Sequence, residues 1–62
     1  MQLFNSNDLA IRTASLKGTL KLVPFVTRFG DNWVSIQDDV GAIEVVPSIF
    51  EANKLVKAAL AA

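Results

Sequence analysis

Apolar and polar residues alternate most cleanly between Asn32 and Gln37. Val34 and Ile36 fall on one side of the chain, and Trp33, Ser35 and Gln37 on the other. A two-residue period of this kind marks a half-buried strand. The preceding stretch, Thr19–Phe29, is rich in β-branched and aromatic residues and predicts another strand. Pro24 lies inside it and confines it to a sheet edge, a bulge or a break, because proline has no N–H to give a ladder. Gly30-Asp31 predicts a two-residue turn between the strands, with glycine first as a type II′ turn requires. Asp38-Asp39-Val40-Gly41 predicts a four-residue turn, and Ala42–Val46 a third strand. In that register Val34 faces Val45 and Ile36 faces Ile43, closing one apolar face.

The period changes after Pro47. Ser48 followed three residues later by Glu51 is a capping box, in which a hydroxyl and a carboxylate satisfy N–H groups that the first helical turn leaves free. Helix 49–60 then aligns Ile49, Ala52, Leu55, Val56, Ala59 and Leu60 on one broad stripe, with Glu51, Lys54 and Lys57 opposite. Residues 8–17 carry two patterns. Leu9, Ile11 and Thr13 alternate as a strand would, while Leu9 and Leu16 share a helical face. Asp8 in the first turn, Lys17 in the last and Gly18 beyond favour a helix. Asn5-Ser6-Asn7-Asp8 before it reads as a turn or N-cap, after a short apolar start, Met1–Phe4. The expected fold class is α+β in a single small domain spanning residues 1–62. It is a three-stranded antiparallel β-meander with a C-terminal helix packed on one face and a short N-terminal helix.

Composition sharpens this picture. Hydrophobic residues make up 52% of 62 residues, with no Cys, His or Tyr. A chain this short buries about 60% of its unfolded surface. If about 3,500 Å² of that is apolar, burial contributes roughly 85–90 kcal/mol. Ordering the chain costs about 90 kcal/mol. With disulfides excluded and a structural zinc site disfavoured, oligomerisation is the remaining reinforcement, and a homodimer is expected. No run approaches 18 apolar residues and no signal peptide is evident, so the cytoplasm is the expected compartment.

Net charge is zero but unevenly placed. Residues 1–30 carry Arg12, Lys17, Lys21 and Arg28 against Asp8 alone, whereas residues 31–62 carry Lys54 and Lys57 against five carboxylates. Without His or Cys, acid–base chemistry falls to carboxylates or Lys. Asp31, Asp38 and Asp39 sit in predicted turns, where aspartate bonds its local backbone. The serines have no imidazole to activate them, the acidic residues lack calcium-loop spacing, and the three glycines form no phosphate loop. No enzyme activity, cofactor or metal is therefore expected.

Recognition is the better expectation. A two-residue turn at Gly30-Asp31 sets Arg28 across from Trp33 on the face away from the helix, with Val26, Ser35, Gln37 and Glu44 nearby. Trp and Arg are enriched in binding hot spots. A three-residue loop would instead pair Phe29 with Trp33. Phe50 lies off the main helical stripe near Lys54 and Lys57, either as a contact patch or tucked against Val46 and Pro47. The leading expectation is a non-enzymatic protein–protein interaction module of inhibitor or adaptor type.

The strand–strand–helix order, Trp33 on the central strand and Ser48-x-x-Glu51-Ala52 opening the helix also carry a resemblance. Over residues 25–57 the chain resembles the arm-type DNA-binding domains at the N-termini of tyrosine recombinases. That resemblance implies a sheet entering the major groove, here with Arg12, Lys17, Lys21 and Arg28 as the available cations. The sequence departs from the pattern in its second and third strands, which carry Glu44, a flanking Asp38-Asp39 pair and no cation. This puts phosphate neutralisation in doubt. The alternative expectation is a small sheet-based DNA-binding protein, of a size that suits a phage or plasmid product.

Overall fold

The computed structural model describes residues 6–61; the apolar start Met1–Phe4 and the Asn5 cap position lie outside them. The order is α1 (Ser6–Lys17), β1 (Lys21–Val26), β2 (Asn32–Gln37), β3 (Ala42–Val46) and α2 (Ile49–Ala61). The strands form an antiparallel meander in the order β1-β2-β3. The α+β meander with a helix at each end is the architecture that the pattern predicts.

Both helices lie on one face of the sheet. Val34, Ile36 and Val46 point into that side, with Leu22 and Ile43 partly buried beside them. They meet Ile11 from α1 and Ala52, Leu55, Val56 and Ala59 from α2. Ile11 and Ile36 are the only large side chains among the described residues that are fully buried. The core is therefore one thin layer, and among the described residues no helix or strand lies over the opposite face of the sheet.

Helix α2 begins at the expected position, held by the Ser48 half of the expected capping box. The Ser48 hydroxyl accepts the Glu51 N–H at 3.1 Å, and the Ser48 carbonyl accepts the Ala52 N–H at 3.0 Å. The apolar stripe is narrower than expected, because Ile49 and Leu60 at its flank stay exposed. Helix α1 starts two residues before the predicted position, so Ser6 and Asn7 open its first turn. It ends in a Schellman arrangement at Gly18, whose φ of +75° only glycine adopts freely. Thr19 N–H reaches the Ala14 carbonyl at 3.0 Å and Gly18 N–H the Ser15 carbonyl at 3.1 Å. The face shared by Leu9 and Leu16 points to solvent, while the opposite face buries Ile11 and Ala14. The small Ala14 lets that side approach its neighbours closely.

Both predicted strand registers are corrected. In the first hairpin Phe25, not Arg28, lies opposite Trp33, and the strand ends at Val26 rather than Phe29. Gly30-Asp31 is not a two-residue turn, nor does Phe29 pair with Trp33. The loop is Arg28-Phe29-Gly30, closed by Thr27 N–H to the Asp31 carbonyl at 2.8 Å and Gly30 N–H to the Thr27 carbonyl at 2.9 Å. Gly30 takes φ +87° as the left-handed residue that ends a three-residue hairpin loop. The physical reason is Thr27, whose hydroxyl accepts the N–H groups of Phe29 (3.3 Å) and Asp31 (3.2 Å) and draws the turn back toward itself. Counting along the ladder from Thr27 makes Pro24–Val34 a non-hydrogen-bonded pair, so the missing proline N–H faces the open edge.

In the second hairpin Val34 pairs with Val46 rather than Val45, and Ile36 with Glu44 rather than Ile43. Gln37 keeps the expected partner at the turn, Ala42, so Ile43 is the extra residue of a β-bulge. The bulge leaves Ile43 against the core and turns Glu44 to the helix side, where its Oε2 accepts from Asn7 Nδ2 at 2.9 Å.

Candidate functional site

The exposed face of the sheet is built from alternate residues of each strand. Lys21, Val23 and Phe25 come from β1, Trp33, Ser35 and Gln37 from β2, and Ala42 and Val45 from β3. Cross-strand pairing arranges them in rows: Lys21–Gln37–Ala42, then Val23–Ser35–Val45, then Phe25–Trp33. An antiparallel sheet with one wet face normally alternates apolar-in, polar-out. This one is apolar on both faces. Val23, Phe25 and Val45 are 38%, 39% and 41% exposed, and Trp33 is partly buried beside Phe25. Ser35 is buried in their midst and accepts a hydrogen bond from the Gln37 side-chain amide at 3.1 Å.

The hairpin tip adjoins the Phe25–Trp33 row. The Arg28 guanidinium lies 5.2 Å from the centroid of the Phe29 ring, a cation–π contact with Phe29 rather than Trp33. Phe29 is 80% exposed, on a turn that the Thr27 hydroxyl holds by accepting from the Phe29 and Asp31 N–H groups. The expected neighbours of Trp33 are partly revised. Ser35 and Gln37 do lie on its face, whereas Val26 and Glu44 fall on the helix side.

The other predicted residues are dispersed. Phe50, Lys54 and Lys57 lie together on the solvent side of α2; Phe50 is 73% exposed and so is not tucked against Val46 and Pro47. Among the four cations of the nucleic-acid reading, Arg12 is partly buried on α1 and Lys17 ends that helix. Lys21 opens β1 and Arg28 lies beyond its other end, roughly 23 Å away along an extended strand.

An open trough of about 480 Å³ runs between α1 and the turn joining β2 to β3, with Leu9, Thr13, Lys17, Asp39 and Val40 along it. Asp38 also lines it, but its carboxylate serves the turn. Oδ1 accepts the N–H groups of Val40 (2.9 Å) and Gly41 (3.0 Å). The Gly41 and Val40 N–H bonds, with Lys17 nearby, hold its carboxyl below the usual carboxylate range. Among the described residues no buried side-chain polar atom lacks a partner, no group of three or more acidic side chains gathers, and no helix is long and apolar enough to cross a membrane.

The sequence pointed to Trp33 and Arg28 but not to Phe25, Val23 or Val45, because each of those depends on a register that the loop and bulge decide. Thr27-x-x-Gly30 was the available signal, a hydroxyl residue opening a turn that closes on glycine. The chain matches no protein-family model, no curated protein and no solved structure.

Proposed function

We propose that this chain is a non-enzymatic protein–protein interaction module of inhibitor or adaptor type. Its binding surface is the outer face of the sheet, extended by the Arg28–Phe29 tip. The observation that carries this reading is the apolar outer face, where Val23, Phe25, Trp33 and Val45 stand in two adjacent rows with no layer over them among the described residues. Trp and Phe supply large contact area at low entropic cost, Arg is enriched in binding hot spots, and the tip is preorganised by its own hydrogen bonds. The thin core supports the same reading, since apolar area that folding leaves exposed becomes available to association.

Photo-crosslinking in the cell of origin tests this. A photoreactive residue at position 23 or 45 should give adducts to polypeptide, whereas the same residue at Leu16, exposed on α1, should give few. Adducts to nucleic acid from position 21 or 28, with salt-reversible retention on heparin, would replace this reading with the DNA-binding one.

A further inference from the structure

We infer that Glu44 is a guard on the open edge of β3: its carboxylate holds the backbone donor in the middle of that edge and keeps another strand from pairing there. The ladder decides which backbone groups are free. Counting from the closure of Thr27 on Asp31, residues Trp33, Ser35 and Gln37 turn their N–H and carbonyl groups toward β1, and Val34 and Ile36 turn theirs toward β3. Their partners Val46 and Glu44 therefore face β2, and Val45 faces out. At the turn the Asp38 N–H donates to the Gly41 carbonyl at 3.0 Å, so Ala42 also faces out. The extra residue Ile43 sets these two outward donors three positions apart instead of two, and a regular strand cannot take both. The next outward position after Val45 is Pro47, which has no N–H. Val45 is thus the donor on which an added strand would have to register.

That donor is already taken. Glu44 Oε1 accepts the Val45 N–H at 3.2 Å, while Oε2 accepts from Asn7 Nδ2 at 2.9 Å. One carboxylate closes on the strand edge and on the first turn of α1 together. An incoming strand would have to displace it, and would bring a carbonyl oxygen up to its negative charge. The bulge at Ile43 is what turns Glu44 to the side where Asn7 meets it, so bulge and charge act as one device. The other edge is blocked differently. Leu22 and Val26 turn outward on β1, and Pro24 between them offers no donor. Prolines, bulges and charges are the means by which sheet edges avoid unwanted pairing, and this small sheet places them on both sides. The inference concerns the edge and does not depend on the outer face being a binding surface.

The test joins amide hydrogen exchange by NMR to sedimentation equilibrium of the full chain. In wild type, after correction for intrinsic rates, the Val45 amide should exchange at least about fivefold more slowly than that of Val26, the outward donor of β1. This comparison needs no substitution, and equal exchange overturns the inference. Glu44→Ala, checked for folding by far-UV circular dichroism, should remove the difference at low concentration. At near-millimolar loading it should show a higher average mass than wild type. A synthetic chain carrying Glu44→Ala and an N-methyl group on Val45 should return to the wild-type mass, because the methyl blocks the edge and leaves the side chain in place. Asn7→Ala, which frees α1 from the carboxylate but leaves the Val45 contact, should match wild type in mass. Glu44→Ala with no more association than wild type overturns the inference, and so does association that survives the N-methyl group. Equal association in Asn7→Ala overturns it too, since the cause would then be a loosened α1.

Discussion

Val45 and Val46 are adjacent, chemically identical and opposite in fate, and truncating each to alanine measures the bulge at Ile43 directly. Val46 is 7% exposed and packs with Val34 in the core, while Val45 is 41% exposed on the outer face. Each Val→Ala removes two methyl groups, about 1.6 kcal/mol of transfer free energy at full burial. At Val46 nearly all of this is lost and a cavity term is added, so the cost should be about 2–2.5 kcal/mol. At Val45 roughly 60% of the side chain is buried and solvent can fill the space, so the cost should be about 0.5–1 kcal/mol. The lower strand propensity of alanine enters both terms and largely cancels in the difference. Urea unfolding followed by Trp33 fluorescence and far-UV circular dichroism gives the comparison. With a slope near 1 kcal/mol/M for so small a domain, the two midpoints should differ by about 1–2 M. The measurement belongs at the lowest usable concentration, because any association through the outer face would add to the Val45 term but not to the Val46 term. Equal losses, or a larger loss at Val45, would mean that the strand runs without the bulge, in the register with Val45 facing Val34.

Ser48→Ala should cost about 0.5–2 kcal/mol by leaving the Glu51 N–H without its acceptor, seen as a melting temperature lower by several degrees; an unchanged melting temperature would remove Ser48 as the cap. Gly30→Ala places a side chain where φ is +87°, and should destabilise the hairpin by about 1–2 kcal/mol although space around the position is open; an unaffected urea midpoint would count against the three-residue loop. Asp38 has a folded pKa depressed by the Gly41 and Val40 N–H groups, so its stabilising effect is present above the unfolded carboxylate pKa and is lost as pH falls through the folded one. Stability should therefore decline below about pH 4, and Asp38→Asn, which keeps the Oδ1 acceptor, should flatten that decline; an unaltered pH profile in Asp38→Asn would show that other carboxylates carry it.

Features whose cause lies within a few residues were legible. The Ser48–Glu51 signal places the start of α2 at Ile49, and Gly18 marks the end of α1. The alternation Val34–Ser35–Ile36 places β2, and Pro24 narrows β1 to an edge, a bulge or a break, of which the edge is the one found. The buried face of α1 was not legible, because both of its sides carry aliphatic residues and the choice is made by contact with elements far along the chain. Leu9 and Leu16 are the larger pair, yet Ile11 and Ala14 face the core. The helical spacing of apolar residues cannot rank two such faces when one is suited to close approach by its small residue.

The candidate surface follows from two local irregularities that shift whole strands. A one-residue change in register moves every side chain of a strand to the other face. At the first hairpin, Thr27 moves the turn so that Phe25 rather than Arg28 stands opposite Trp33, which replaces a cation by a second aromatic ring on the outer face. At the second, the extra Ile43 reverses the parity of the rest of β3. Without it Glu44 would lie outward beside Ser35 and Val45 would point inward. With it the carboxylate turns to the helix side, where Asn7 receives it from 37 positions away, and Val45 completes the row with Val23. The β3 sequence Ala42-Ile43-Glu44-Val45-Val46 offers an apolar residue to the core in either register, so its own pattern leaves the choice open. The decision rests on burial of Val46 and on the partner that α1 supplies to Glu44, both non-local. The same bulge that seats the N-terminal helix on β3 thereby removes a charge from the outer face and makes it continuous enough to be covered by another protein.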